Sequence, residues 1–388
     1  MEAKPYGNLS RRDFLAIPAA TAAIAAVPGI GAAAPATAEP EWRNKQSGMT
    51  YRRLGRTGLM VSSMGTGGDD VSPDNNDFVK WAVDLGLNYF DTAPNYNRGA
   101  SERGYAEVLK SRGRDRVFQN TKVNVFPNRT MVYRRMFQSL EESEQNQIRN
   151  RVTEEIARRG LENPEYLGMY FGGQAEGLRS AMIANALQEK YAGKFDRQKE
   201  IKDYIVSSVE GSLKSLGTDH VDCLLMRGIE TPYEIRNTPE VLEAFESLKK
   251  QGKARFLGFS AHTDPAGVLE AAIDTGGYSM CLIAYNFLNA KWVDPVLEKA
   301  RKADYGVMIM KASRVIMNPF NRRQTIPERA STLDKLVPGN LTLFQKGFQW
   351  VLRNPNVSGV VAGITNMSMA KEDIPLAMTG DAAAAASK

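Results

Sequence analysis

Residues 90–122 read FDTAPNYNRGASERGYAEVLKSRGRDRVFQNTK. Asp91 closes the apolar run LNYFD, Tyr96 follows in a loop, and Lys122 closes VFQNTK. The two apolar runs read as successive strands, and ASERGYAEVLKSRG between them reads as a helix. An acid, a tyrosine and a lysine therefore stand at or just past two strand ends. This combination can build a general acid. A neighbouring ammonium favours phenolate and draws the phenol pKa down from about 10 toward working pH. A carboxylate beside the lysine keeps it charged and aimed. A loop cap, a surface tyrosine and a solvated lysine would explain each residue singly, but not their order at strand ends.

The same alternation continues along the chain. Apolar, β-rich runs fall near 61–67, 88–92, 117–123, 221–227, 255–260, 280–287, 306–312 and 357–363. Helical patterns such as TPEVLEAFESLKKQG and NLTLFQKGFQWVLRNP lie between them. Eight strand and helix pairs predict a (β/α)₈ TIM barrel, whose chemistry sits at the C-terminal strand ends. Tyr51, Arg52 and Arg53 are expected in a short hairpin closing the barrel bottom.

These motifs resemble the aldo-keto reductases, TIM barrels that reduce carbonyls with NADPH. The resemblance rests on FDTAPNY and TK, with YRRLGRTGLMVSSMGTGG at 51–68, SLKSLGTDHVDCLLMRG at 212–228 and FLGFS at 256–260. It continues through GVMIMKAS at 306–313 and VSGVVAGITNMSMAKED at 357–373. It implies that Asp91, Tyr96 and Lys122 belong to a catalytic tetrad. The fourth position, usually histidine, is Arg227. Its fixed cation can polarise a carbonyl oxygen or clamp an anion, but it cannot shuttle a proton. Of the two histidines, His220 precedes the fourth barrel strand and is expected to face away. His262, in GFSAHTD, stands at the end of the fifth, either near cofactor and substrate or as a loop hydrogen-bonder.

The resemblance also implies a nicotinamide nucleotide site. Its residues are Gly65, Thr66 and Gly67 at the first strand turn, Ser260, Tyr285, Lys311 and Arg314, then Gly363 with Glu372 and Asp373 near the adenosine. Ala261 replaces the usual asparagine, and no lysine–arginine pair for a 2′-phosphate stands between Ile364 and Lys371. NADP follows from the family, and NAD stays open.

The segment 127–199 exceeds what the family places after the third barrel strand. It reads as a helical insertion on the catalytic face: a lid, a pocket wall, a surface for a protein partner, or a solvated decoration. Cys223 and Cys281 lie in runs assigned to non-neighbouring strands, which points to two buried free thiols rather than a disulfide. No C-x-x-C spacing supports a metal.

Composition sets the outer bounds. The 388 residues fit one barrel with additions, and a 43% hydrophobic fraction is ample for its core. The net charge of +6 is scattered and shows no basic cluster interleaved with aromatics, so nucleic acid is not expected. Ser10-Arg11-Arg12-Asp13-Phe14-Leu15 matches the twin-arginine export signal, an Ala-rich stretch follows, and Ala36-Thr37-Ala38 is a cleavage site. Export of a folded, cofactor-loaded protein to the periplasm is expected, through the twin-arginine machinery and with no membrane span in the mature form. The domain reading is a signal at 1–38, a linker at 39–48, a barrel at 49–378 and a disordered tail at 379–388. The functional reading is an exported oxidoreductase passing hydride between NADP(H) and a small carbonyl or alcohol, which Arg227 suits to anionic substrates. The alternative is a non-catalytic barrel that binds a ligand or serves an exported complex.

Overall fold

Eight parallel strands close on one another in chain order. In the computed structural model they are β4 (Met64–Gly67), β5 (Tyr89–Asp91), β6 (Phe118–Val123), β7 (Val221–Ile229), β8 (Ala254–Ala261), β9 (Met280–Ala284), β10 (Gly306–Met310) and β11 (Gly359–Ala362), with β11 pairing back onto β4. This is the (β/α)₈ barrel. The structure describes residues 38–387 apart from 192, 194, 195 and 322. The export signal read at residues 1–38 lies, apart from Ala38, outside the described residues. No helix among the described residues is long and apolar enough to cross a membrane.

Side-chain alternation in the strands creates two cores. Tyr89, Phe118, Cys223, Leu225, Met280, Leu282 and Met308 point into the barrel. Phe90, Leu224, Met226, Leu257, Phe259, Cys281 and Ile283 point outward and pack under the helices. The two thiols thus sit on opposite faces of the sheet, and both are free and buried.

The barrel base is built from the N-terminal segment. Strand β1 (Glu41–Trp42) runs parallel to β3 (Leu59–Ser62), and β2 (Tyr51–Arg53) pairs antiparallel with β3. Leu54, Leu59 and Val61 plug the interior from below. The span 39–48, expected as a linker, is therefore part of the fold. Glu41 pairs with Arg255 at 2.5 Å, and Arg43, Arg114 and Arg255 surround the fully buried Asp222 at 3.2, 2.8 and 2.6 Å. The first apolar run divides at Ser63 into β3 and β4, because the chain turns from the base into the barrel wall. The run at 280–287 ends as a strand at Ala284, where Asn289 accepts from Asn286 N and donates to Ala284 O. The tail expected to be disordered carries a helix, Gly380–Ala386. Thr379 N donates to Gly48 O at 2.8 Å, and Gly48, at φ +91°, leaves room for Ala382.

Between β6 and β7 the chain forms helices Val125–Gln138, Glu142–Arg159, Pro164–Leu167 and Gln174–Tyr191 before the barrel helix Tyr204–Leu216. They have a core of their own, with Tyr133, Phe137, Ala184 and Leu187 packed together. They also give Val152, Ile156, Leu161, Tyr166, Leu167 and Leu178 to the layer around the barrel. This excludes a solvated decoration, since buried apolar faces are what hold short helices in place.

Candidate active site

The inward strand positions that carry the lower core carry polar groups one step higher. Two residues above Tyr89 comes Asp91, and four above Phe118 comes Lys122. Two above Leu225 comes Arg227, and two above Gly258 comes Ser260. A period of two holds these side chains on one face, so the barrel brings four distant residues to one mouth. Lys122 Nζ donates to Asp91 at 2.6 Å and to Thr92 O at 3.0 Å. The lysine is 1% exposed and the aspartate 3%. Burial alone would lower the Lys122 pKa, but Asp91 and Tyr96 outweigh it and hold the ammonium above its ordinary value. Burial raises the Asp91 carboxyl against the pull of Lys122.

Tyr96 lies half-buried in a short turn, Tyr96–Gly99, with Asn97, Arg98 and Gly99 at φ 45°, 53° and 86°. Three consecutive left-handed residues turn the chain sharply above the barrel, a strained arrangement of the kind that clusters at functional sites. Two cations stand close over the ring, with Lys122 Nζ 4.6 Å and Arg227 Cζ 5.3 Å from its centroid. The expectation of a lowered phenol pKa is corrected here. Burial dominates and holds the Tyr96 pKa above its ordinary value, and Lys122 and Arg227 only partly offset it. Arg227 Nη1 donates to Asn95 Oδ1 at 2.5 Å, and no described carboxylate forms an ion pair with Arg227.

The residues read as cofactor contacts divide. Ser260 faces the mouth and is 2% exposed. Lys311 follows β10 in a left-handed conformation, φ 61°, and Arg314 opens the next helical turn. A side chain at Gly363 would meet open space, and Asp373 Oδ1 is buried without a hydrogen-bond partner among the described residues. Burial and the neighbouring Glu372 push the Asp373 carboxyl up to about 7. Gly363 and Asp373 thus present a bare backbone and an unused polar atom to an incoming group. Four other expectations are corrected. Thr66 points outward, its hydroxyl 3.0 Å from Tyr105 Oη. Gly65 is needed by protein rather than ligand, because a Cβ there would stand 2.8 Å from the Tyr89 ring. Tyr285 faces the helices, with its hydroxyl on Asp294 at 2.6 Å and its ring 5.2 Å from Trp350. Glu372 is occupied at the cap of helix Leu343–Leu352, where it accepts from Thr342 at 2.9 Å. Gly67 stays at the mouth, close to Ala362 O of β11.

Sequence reading passed over three features. Asn120, inward on β6 below Lys122, donates to Tyr89 Oη at 2.7 Å and accepts from Thr92 N at 3.2 Å, forming the site floor. The period of two counted back from Lys122 would have found it. Glu230, just past β7, accepts a short hydrogen bond from Thr263, and burial pushes its carboxyl up to about 7. The third is the segment 163–174, which is fixed across three strand ends. Tyr166 Oη donates to Asp264 at 2.5 Å, Asn286 Nδ2 donates to Tyr170 Oη at 2.9 Å, and Arg329 bridges Gly168 O and Val315 O at 3.0 and 2.9 Å. Arg159 pairs with Asp264 as well. This segment therefore packs beside the mouth.

The sequence model of the aldo/keto reductase family matches residues 61–156 and 162–376. An uncharacterized oxidoreductase of Bacillus subtilis, YqkF, is 21% identical over 354 residues, covering 85% of this chain and 91% of that protein. Among solved structures, the holo form of aldo-keto reductase AKR11C1 from Bacillus halodurans superimposes with a TM-score of 0.56 at 19% identity, over 88% of this chain and 97% of that one. An aldo/keto reductase from Klebsiella pneumoniae, solved with NADP and acetate, gives 0.52 at 16% identity, over 86% and 93%. At these identities the structural likeness speaks for the fold.

Proposed function

The chain belongs to the aldo/keto reductase family, and on that premise we propose that this oxidoreductase is an exported NADP(H)-dependent reductase of small carbonyl compounds, with a preference for anionic ones. The observation that carries the reading is the cluster of Asp91, Lys122, Tyr96 and Arg227 on one rim of the barrel. The NADP complex of the Klebsiella pneumoniae relative supports the choice of nucleotide. Ser260, Lys311, Arg314, Gly363 and Asp373 are the residues to hold it. When bound, the nucleotide supplies the hydride that adds to the carbonyl carbon. Tyr96 gives its hydroxyl proton to the carbonyl oxygen, and the product is the alcohol. Burial keeps Tyr96 protonated beforehand, so it arrives as a donor. Lys122 and Arg227, both close to the ring, stabilise the phenolate left behind. Asp91 holds Lys122 in place and charged. Arg227, with a neutral partner in Asn95, is free to meet an anionic group on the substrate, because a cation at a half-buried site gains most from a charged partner.

Export through the twin-arginine route is proposed from the SRRDFL motif and the Ala-rich stretch after it. Such a route delivers a folded barrel with its nucleotide in place. The test of the enzymatic reading is NADPH oxidation with a panel of aldehydes, for wild type and Tyr96→Phe. The expected result is a loss of turnover of about 10²-fold or more, the scale of general acid catalysis, with nucleotide affinity nearly unchanged. Equal turnover in the two proteins would refute the role of Tyr96. Absence of turnover and of nucleotide binding in the wild type would refute the enzyme and favour a ligand-binding barrel.

A further inference from the structure

We propose that His262 is a further substrate-contacting residue, whose imidazole donates a hydrogen bond to the oxygen of the bound carbonyl compound from the end of β8. The inference rests on the reductase reading above and adds a residue to it.

Position comes first. Ser260 pairs with Arg227 and Ala261 with Ile229 across the β7–β8 ladder. His262 therefore leaves β8 beside the strand end that carries Arg227. Ala261 closes β8 facing the helices, and His262 is the first residue past the strand, at the rim of the mouth.

The ring is held from outside. Gln174 Nε2 donates to His262 O at 3.5 Å, and the same amide donates to Leu167 O at 2.8 Å. Phe171 meets the imidazole edge-on, with centroids 6.1 Å apart. Both contacts come from the segment 163–174, so the inserted helices fix the backbone and the back edge of this side chain. Its ring nitrogens have no hydrogen bond to any described residue, although the side chain is more than half buried. A half-buried imidazole with idle nitrogens at a ligand mouth is a donor and an acceptor waiting for a partner.

Electrostatics define which form it takes. Burial, followed by the charges of Lys311, Arg227 and Lys122, holds the imidazole pKa well below its ordinary value. The ring is neutral, with one N–H and one lone pair. A neutral imidazole does not add a fourth cation to the mouth, and it donates to an oxygen on which negative charge is growing. Three tasks at the mouth are thereby divided. Tyr96 transfers the proton, Arg227 meets the anionic group, and His262 orients the reacting oxygen.

The experiment uses the full-length exported protein loaded with NADP⁺ or NADPH. The probes are 4-formylbenzoate and its neutral amide, and the variants are His262→Ala and His262→Gln. Glutamine keeps a side-chain N–H donor at similar reach. His262→Ala should lower kcat by about 10²-fold, the cost of one lost donor to a developing oxyanion. Glutamine should restore most of that, and nucleotide affinity should not move. A second readout does not depend on turnover. The chain has only two histidines, and His220 lies on the surface against Asp219. In nitrogen-15 spectra of the imidazoles, adding either probe to the NADP⁺ complex should shift the His262 signals and leave those of His220 in place. Turnover in His262→Ala equal to wild type, or His262 signals unmoved by a probe that wild type reduces, would overturn the proposal. A His262 shift in a protein that reduces neither probe would uphold the contact and overturn the reductase reading instead.

Discussion

Replacing Lys122 by methionine should destabilise the protein by about 3–5 kcal/mol at neutral pH, the usual cost of removing one partner of a buried pair. The two side chains are 1% and 3% exposed and meet at 2.6 Å. Methionine fills much of the lysine volume, so the penalty comes from Asp91, left charged in a dry barrel. It also strands Thr92 O, which loses its donor. The carboxyl can escape by binding a proton, and burial already raises its pKa with Lys122 present. Without the lysine its folded pKa rises further above the unfolded value. A carboxyl of that kind stabilises the fold fully below the unfolded pKa, and that contribution is lost as pH rises through the folded pKa. The deficit of Lys122→Met relative to wild type should therefore grow from pH 5 to pH 8, by up to about 1.4 kcal/mol per pH unit. Adding Asp91→Leu should recover at least about 2 kcal/mol, because the stranded charge is gone, while reductase activity stays absent. The assay is urea unfolding followed by circular dichroism at pH 5, 6.5 and 8 for wild type, both single variants and the double variant. A deficit that is flat with pH and unrelieved by the second substitution would refute the argument. It would mean that Lys122 acts by packing alone.

Three further outcomes are expected. Arg227→His should weaken discrimination in favour of an acidic aldehyde over its neutral amide, moving the specificity ratio by roughly 1.5–3 kcal/mol if a charge-assisted bond is lost; an identical ranking by both proteins in steady-state kinetics would remove Arg227 as the reader of charge. Glu230, pushed up to about 7 from an ordinary value of 4.5, stabilises the fold below the lower of these and loses that contribution as pH rises through the upper one. Glu230→Gln should thus gain on wild type between those limits by at most about 3 kcal/mol, and parallel stability curves for the two proteins would contradict the assignment. Arg11→Lys combined with Arg12→Lys should trap the precursor in the cytoplasm, as fractionation and immunoblotting would show, whereas normal periplasmic accumulation would rule out twin-arginine export.

The eight strands, their order and the residues at their upper ends were legible because strand periodicity and short motifs are local properties of the chain. Asp91 and Lys122 could be named from sequence because each closes a local apolar run, and Arg227 and Ser260 because their short motifs match those of the family. Gly65, Thr66 and Tyr285 show the limit of the same logic. Motif position placed them at the mouth, but Tyr89, Tyr105 and Trp350, all distant in sequence, decide which way their space is used. The base and tail were misread for a similar reason, because short segments such as 39–48 and 379–388 become ordered only through partners far along the chain. The Tyr96 pKa depended on tertiary structure most of all. A sequence reveals that a lysine is near a tyrosine, but only the folded loop reveals how much water both have lost. In this site desolvation is the larger effect. The segment 163–174 likewise has no motif, and its contact with His262 exists only because the barrel carries Gln174 and Phe171 to the end of β8. Local pattern thus determined the barrel and its polar rim, while burial and long-range contact, which no local pattern encodes, decided the protonation and surroundings of that rim.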